Sequence, residues 1–372
     1  MRVVILADES AHWKIAGLRQ LERLALALNE AAVDGGATTQ VSVFWKPELA
    51  ANERFVPFQD RLSRVEFDTA LPESADLLLD THIFLHRNNS PALLGVANQH
   101  PRLSQGFPEL ELAVRAAWQQ SKATGWDYIE DSAQIPAAEK RFLRATGKSQ
   151  DGLVSRFINR PISRALSQIL LKTPITPSAW TLAIFILPLL GASLLLRGNQ
   201  ASVVLGLLFF QLYSILDGCD GEIARAKYLE SSHGRQLDAW CDVLGNLLMV
   251  LALGYGLSRG SFSAPAYFIE GIFVALLILG NELLLLFPGS RRQASENAGS
   301  ALYPRHQQLF GGTGLLSSGG RVGWWLIQLT KRDVGLLAFL LLALAGQAAW
   351  ILHLLGAVAA SSALLALKSR LR

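Results

Sequence analysis

Hydrophobic positions change character along the chain. In residues 1–135 they come in short runs broken by charge. Val3–Ala7 is a compact β-rich run, and Thr38–Trp45 alternates like a strand. Arg64–Phe67 is a further strand candidate, and Ala75–Leu85 reads as a buried strand ending in polar residues. Between the first two runs, Ile15–Ala32 places Leu18, Leu21, Leu24 and Leu28 at helical spacing with charges interleaved. Strands alternating with helical segments predict an α/β domain with a mostly parallel sheet.

From Ala137 to Lys172 the chain becomes basic, with apolar residues every three or four positions. Phe157, Ile158, Ile162, Leu166, Ile169 and Leu170 form one stripe, and Arg156, Arg160, Arg164 and Lys172 lie toward the other side. The pattern fits an amphipathic helix on an anionic membrane surface, and equally a helix packed on the preceding domain. Thr173-Pro174-Ile175-Thr176-Pro177-Ser178 then punctuates the chain.

Six apolar runs follow: Ala179–Leu196, Ser202–Leu216, Asp238–Leu257, Ala266–Phe287, Val334–Trp350 and Leu352–Leu367. About 20 apolar residues cross a bilayer core as a helix. The last two runs read either as two spans or as one kinked hairpin turning at Gly346-Gln347. Arg197 and Arg259 stand alone in their loops, whereas Arg225, Lys227 and Arg235 share one, and Arg291, Arg292, Arg305, Arg321, Lys331 and Arg332 share another. The positive-inside rule then puts both termini and the segment between runs two and three in the cytoplasm. The expected fold class is a soluble α/β N-terminal domain followed by an all-α six-helix transmembrane domain in the cell membrane. The domains would be 1–135, a linker of amphipathic helices at 136–175, and 176–372. Trp324 and Trp325 mark an interfacial anchor within the long connection 288–333, and Glu270, Asn281 and Glu282 are polar positions of the fourth run.

Composition sharpens this picture. Of 372 residues, 51% are hydrophobic and 17% charged, too apolar for an ordinary soluble protein. A formal net charge of +4 suits a membrane surface or phosphorylated substrates, and no basic stripe interleaved with aromatics points to nucleic acid. The two cysteines, Cys219 and Cys241, are too few for a disulfide scaffold and read as small buried side chains. The opening MRVVILADES has a five-residue apolar run, short of a secretory signal core, so no signal peptide is expected there.

The chemistry concentrates in Leu216–Asn246, between two apolar runs. Asp217 and Asp220 share one helical face, and Asp238 and Asp242 share another. Ionisable residues at membrane segments are functional candidates. Four carboxylates converging from antiparallel helices need shared protons or a divalent cation, and oxygen-only ligands suit Mg²⁺ or Mn²⁺ rather than zinc. Small residues, Gly221, Ala224, Gly234 and Gly245, lie on the same stripes and let a bulky polar ligand approach.

The residues Asp217, Asp220, Gly221, Ala224, Arg225, Gly234, Asp238 and Asp242 spell D-x2-D-G-x2-A-R-x8-G-x3-D-x3-D. This resembles the signature of the CDP-alcohol phosphotransferases, with each fixed position at the family spacing. The resemblance implies transfer of a substituted phosphate from a CDP-alcohol donor to an acceptor hydroxyl, with release of CMP. It implies Asp217, Asp220 and Asp238 as main ligands of two Mg²⁺ or Mn²⁺ ions, and Asp242 as general base and additional ligand. Gly218, Gly221, Ala224, Arg225 and Gly234 would receive the cytidine diphosphate. Arg160, Arg164, Arg291, Arg292, Lys331 and Arg332 are candidates for a phosphate on the acceptor. Membrane lipids surround such a domain, and family members often pair as homodimers.

The N-terminal domain resembles a nucleotidyltransferase of the sugar-nucleotide type in its placement. The glycine-rich phosphate loop expected after the first strand is replaced by ADESAHWKIAG, with Lys14 as the one basic candidate. Asp80 and His82 follow a strand where a metal-binding acid would sit. The domain is expected to be degenerate, binding or scaffolding rather than catalysing. The leading functional expectation is a phospholipid-type synthase using CDP-diacylglycerol. The alternative is a CDP-polyol donor, such as CDP-inositol, with an inositol phosphate or lipid acceptor. A silent membrane scaffold is the third reading, opposed by the retention of four costly carboxylates.

Overall fold

Strand β1 (Arg2–Ala7) is buried from Val3 onward and anchors a parallel sheet. The computed structural model describes residues 1–36, 38–57, 59–68, 72–86, 106–120, 126–145, 152–259, 264–286 and 331–370. Arg291, Arg292, Arg305, Arg321 and the Trp324-Trp325 pair lie outside these, as does the side chain of Glu282. Two compact units emerge. The first comprises Met1–Gly147, Gln168–Pro174 and Arg225–Tyr228, and the second Lys148–Ser167, Ile175–Ala224 and Leu229–Arg372.

In the first unit a short hairpin, β2 (Lys14–Ile15) and β3 (Leu18–Arg19), precedes helix α1 (Gln20–Gly35). The helix therefore starts five residues later than its leucine spacing suggests. Ala16 and Gly17 take positive φ at the hairpin turn, which a helix cannot accommodate. Buried Arg23 of α1 locks the turn by donating to the carbonyls of Ile15 and Ala16. Strands β4 (Thr39–Trp45), β5 (Val65–Asp68) and β6 (Leu77–Asp80) follow. The sheet order is β5-β4-β1-β6, with each pairing parallel, as the alternating pattern predicts. The run Ala75–Leu85 is not one strand. It breaks at Thr81-His82, and β7 (Ile83–Leu85) pairs antiparallel with β8 (Trp126–Tyr128). Helix α2 (Phe107–Gln120) packs Phe107, Leu110 and Val114 into the core of the unit. Helix α3 (Ile135–Ala145) is amphipathic, burying Ala138, Phe142 and Leu143.

The basic, amphipathic stretch forms a helix from residue 153 onward, with a π-helical turn at Ser155–Asn159 leading into α4 (Arg160–Leu170). Phe157, Ile158, Ile162 and Ile169 are exposed, as an apolar stripe facing lipid would be. Arg160 departs from the expected polar outer side and is buried.

In the second unit the first apolar run is two helices, α5 (Pro177–Ile184) and α6 (Ile186–Leu195). The break at Phe185 has a local cause. Pro188 offers no N–H to the Ile184 carbonyl, and its ring crowds that carbonyl. Helix α7 (Gln200–Ala226) continues from the second run straight through Asp217 and Asp220, and α8 (Ser232–Arg259) begins before Asp238. Helices α9 (Ala266–Leu286), α10 (Arg332–Leu344) and α11 (Ala349–Arg370) complete the described chain. The last two runs meet earlier than their apolar limits suggest. Gly346 at φ 75° closes α10 in a left-handed turn, and the chain re-enters a helix at Ala349. Among the described residues, three helical stretches are long and apolar enough to cross a membrane: Pro177–Leu195, which joins α5 and α6, Gln200–Ala226 and Ser232–Arg259. Two shorter apolar helices are Ala266–Asn281 and Ala349–Ser361.

Two polar side chains make contacts between these helices. Asn281 donates to the Ala359 carbonyl at 3.2 Å, and Glu270 meets His353 at 2.6 Å. Helices α8 and α9 approach so closely at Gly254 that an added Cβ would lie 2.9 Å from the Tyr267 carbonyl oxygen. At Gly280 a Cβ would meet nothing within 4 Å. Gly254→Val is therefore expected to cost about 1–3 kcal/mol of stability by overpacking. Gly280→Ala should be neutral or gain up to about 1 kcal/mol from helix propensity. Thermal unfolding of both variants in detergent checks this, and equal melting temperatures would contradict the close approach.

Candidate active site

Two helix ends build the site. On α7, Asp217 and Asp220 lie one turn apart, three turns from the last residue of the helix at most. On α8, Ser231 caps the start, its Oγ accepting from the Gly234 N–H at 3.0 Å. That cap fixes the first turns, on which Asp238 and Asp242 follow at a spacing of four. Carboxylate oxygens of Asp217, Asp238 and Asp242 all lie within 4.8 Å of one another. The three side chains are half-buried.

Asp220 is placed differently. Its Oδ2 accepts from the Thr181 hydroxyl at 2.7 Å, and its Oδ1 takes the Gly221 N–H. Helix α5 thus reaches the signature twice, since Trp180 Nε1 also donates to the Leu216 carbonyl at 3.0 Å. Asp242 pairs with Arg332 at the start of α10 and receives the Tyr213 hydroxyl at 3.4 Å. The Arg332 guanidinium lies over the Tyr213 ring, 5.3 Å from its centre. A cation there offsets part of the negative charge that three close carboxylates accumulate.

The small residues divide. A Cβ on Gly234 would meet the Ser231 hydroxyl at 3.0 Å and that of Ser178 at 3.7 Å. On Gly218 it would meet Arg160 Nη1 at 3.1 Å and Ser163 Oγ at 3.3 Å, so the space beside Gly218 is taken by the 153–170 helix. Gly221 and Ala224 lie along α7 beyond Asp220, and the Ala224 carbonyl accepts from Leu229 N at 2.8 Å as the helix ends. Arg225 sits half-buried in the last turn of α7. Cys219 and Cys241 are buried free thiols, as expected.

Two residues escape the sequence reading. Glu222, with 1% exposure, accepts from Ser163 at 2.9 Å, Ser167 at 2.8 Å and Arg160 at 3.2 Å. This cluster ties the 153–170 helix to the face of α7 opposite the aspartates. The available signal was the i, i+4 pair of Ser163 and Ser167 on a helix carrying a basic residue. Asp333 is the second. It accepts the Ser155 N–H at 2.6 Å, capping the same helix, and occupies the space a side chain at Gly152 would need. Its partner lies 178 positions away, so no local pattern could reveal it.

A sequence model of the CDP-alcohol phosphatidyltransferase family matches residues 175–361, half of the chain and all four aspartates. The chain belongs to that family. Similar curated proteins carry the name bifunctional IPC transferase and DIPP synthase. The one from Rubrobacter xylanophilus is 32% identical over 208 residues, 55% of this chain and 46% of the relative. The one from Thermococcus kodakarensis is 33% identical over 170 residues, covering 45% and 36%. The one from Archaeoglobus fulgidus is 36% identical over 133 residues, covering 35% and 26%. The matches thus span less than half the length of these relatives. With three membrane-length apolar helices, the family domain marks this chain as a membrane protein of the CDP-alcohol phosphotransferase class.

The Glu222 cluster makes a stability prediction. Glu222→Leu leaves Arg160 buried without its carboxylate and should cost about 3–5 kcal/mol. A melting temperature in detergent unchanged from the parent would show that the cluster does not hold the helix.

Proposed function

We propose that residues 175–361 transfer a substituted phosphate group from a CDP-linked polyol to an acceptor hydroxyl, releasing CMP. The observation that carries this is the convergence of Asp217, Asp238 and Asp242 within a family domain. The name shared by the relatives favours a CDP-inositol-like donor over the CDP-diacylglycerol expected first. The front region 1–135 then serves as a nucleotidyltransferase-like companion domain, followed by linker helices and a six-span domain with its site toward the cytoplasm.

The donor set fits a divalent cation, being all oxygen and crowded enough to need one. Asp217, Asp238 and Asp242 would hold it, with Asp220 as the further carboxylate of the set, positioned by Thr181. When bound, such an ion supplies positive charge to the pyrophosphate of the donor. The protein's own groups do the rest. Asp242 takes the proton of the acceptor hydroxyl as that oxygen bonds to phosphorus and the bond to the CMP oxygen breaks. Arg332 holds the Asp242 carboxylate in place before the acceptor arrives. Arg225 meets phosphate oxygens, for which a planar guanidinium is suited.

Asp242→Asn should reduce CMP release by at least about a hundredfold, the scale of a lost general base, while leaving the fold intact. Retained turnover would remove Asp242 from that role. The deciding assay offers CDP-inositol and CDP-diacylglycerol separately, with polar alcohols and their phosphates, to purified protein with Mg²⁺ or Mn²⁺. Release with CDP-diacylglycerol alone would return the donor to the lipid class. Full activity after exhaustive chelation would refute the cation requirement.

A further inference from the structure

Helix α7 carries Asp217, Asp220 and Arg225 and ends at Ala226. The Leu229 N–H donates to the Ala224 carbonyl at 2.8 Å, and the Tyr228 N–H to the Arg225 carbonyl at 3.4 Å. This is a Schellman closure, in which the residue just past the helix adopts a left-handed backbone. Tyr228 does so, at φ 54°. Glycine is the usual occupant, because a side chain is strained there. A tyrosine at that place has to be held by its surroundings.

The closure leaves the carbonyls of Ala226, Lys227 and Tyr228 without partners inside the helix. Two arginines of the N-terminal unit take all three. Arg23, buried in α1, donates to the Ala226 carbonyl at 2.8 Å. Arg61 donates to the Lys227 carbonyl at 2.8 Å and to the Tyr228 carbonyl. The Arg23 guanidinium also lies 5.7 Å from the centre of the Tyr228 ring, which packs on the aliphatic core of that unit. The β2–β3 turn closes on the same segment. A Cβ on Gly17 would lie 2.6 Å from Lys227 Cε and 2.8 Å from the Leu171 carbonyl oxygen. Lys227 Nζ in turn donates to the Thr173 carbonyl at 2.7 Å. Residues 225–228 therefore belong to the N-terminal unit, although the signature runs on either side of them.

We propose that Arg23 and Arg61 are positioning residues for the transfer reaction. By clamping the end of α7 they fix the rotation and height of its last turns, and with them Arg225 and Asp220. The inference rests on the function proposed above. Helix α7 is unbroken, so a slip at Ala226 reaches Arg225 at the neighbouring residue and Asp220 within two turns. The clamped segment also leads into Ser231 and Gly234, which start the helix of Asp238 and Asp242. A displacement of about 1 Å at a reacting group costs on the order of a hundredfold in rate. The N-terminal domain thus has a task in the chemistry that requires no nucleotide of its own.

Arg61 is exposed, so Arg61→Ala removes two of the contacts without opening the core. Arg54→Ala is the matched control, deleting another arginine–carbonyl bond of the same unit, to Leu49 at 3.0 Å. Full-length protein in detergent is held well below the melting temperature of each variant. Amide exchange of residues 224–231 is measured, and CMP release with Mg²⁺ from CDP-inositol or CDP-diacylglycerol, whichever the wild type turns over. Arg61→Ala should exchange at least about tenfold faster there and lose about ten- to a hundredfold in kcat. Arg61→Lys should recover much of both, and Arg54→Ala should match the wild type. A residue that only stabilised the fold would lower the melting temperature and leave the turnover of folded protein unchanged. Unchanged exchange in Arg61→Ala, unchanged kcat, or equal losses in Arg54→Ala would overturn the clamp. A wild type that releases no CMP would remove the transfer reading instead, and exchange at 224–231 would still decide whether Arg61 holds the end of α7.

Discussion

Three carboxylates held within 4.8 Å are the constraint on which the helical unit depends. Two unit negative charges at that range repel by roughly 3 kcal/mol at an effective dielectric of about 20, and three such pairs are comparable to the whole net stability of a typical fold, about 5–15 kcal/mol. The surroundings are built to carry that charge. Arg332 meets Asp242 directly, and Thr181 holds Asp220 by a hydroxyl. The divalent cation proposed for this site would complete the balance, the crowding that burdens the fold being what would favour the ion.

A second polar layer keeps the first in place. Glu222 sits two residues beyond Asp220 on α7, yet it turns to Arg160, Ser163 and Ser167. Asp333 adds a further tie, one residue beyond Arg332, by capping the start of the 153–170 helix. The first turn of α10 thus presents neighbouring side chains to two tasks, one at the aspartates and one at a helix terminus. Stability and chemistry are linked here by proximity in sequence, since a shift of α10 would disturb both contacts.

The N-terminal unit follows a different economy. Its core is aliphatic and its parallel sheet conventional, but the polar residues collect at the carboxyl ends of β1 and β6. There burial opposes ionisation of His82, yet the bond to Asp8 prevails and pushes its pKa up to about 9. Burial raises Asp80 to about 6, while the His82 and Ser10 contacts hold Asp8 well below the ordinary carboxylate range despite its own burial. Carboxylates so differently poised a few residues from one imidazole show that this end of the sheet is electrostatically organised.

Much of this was legible in the chain itself. Strand and helix alternation gave the α/β class, because period-2 and period-3.6 patterns reflect one-sided burial. The eight signature positions identified the family, and they put the aspartates in pairs on shared helix faces, because residues three and four apart on a helix share a face whatever surrounds them. Other features depended on contacts that no periodicity encodes. The hairpin at Ala16-Gly17 delayed α1, since backbone strain outweighed leucine spacing there. The break of Ala75–Leu85 was set by β8, more than forty residues away. Arg332, Asp333 and Glu222 acquired their roles from partners distant in sequence. Sequence by itself determined which residues carry charge and which face each occupies on its own element. Tertiary structure alone decided which charges meet, because electrostatic energy depends on distance in space, and distance between elements is set by packing.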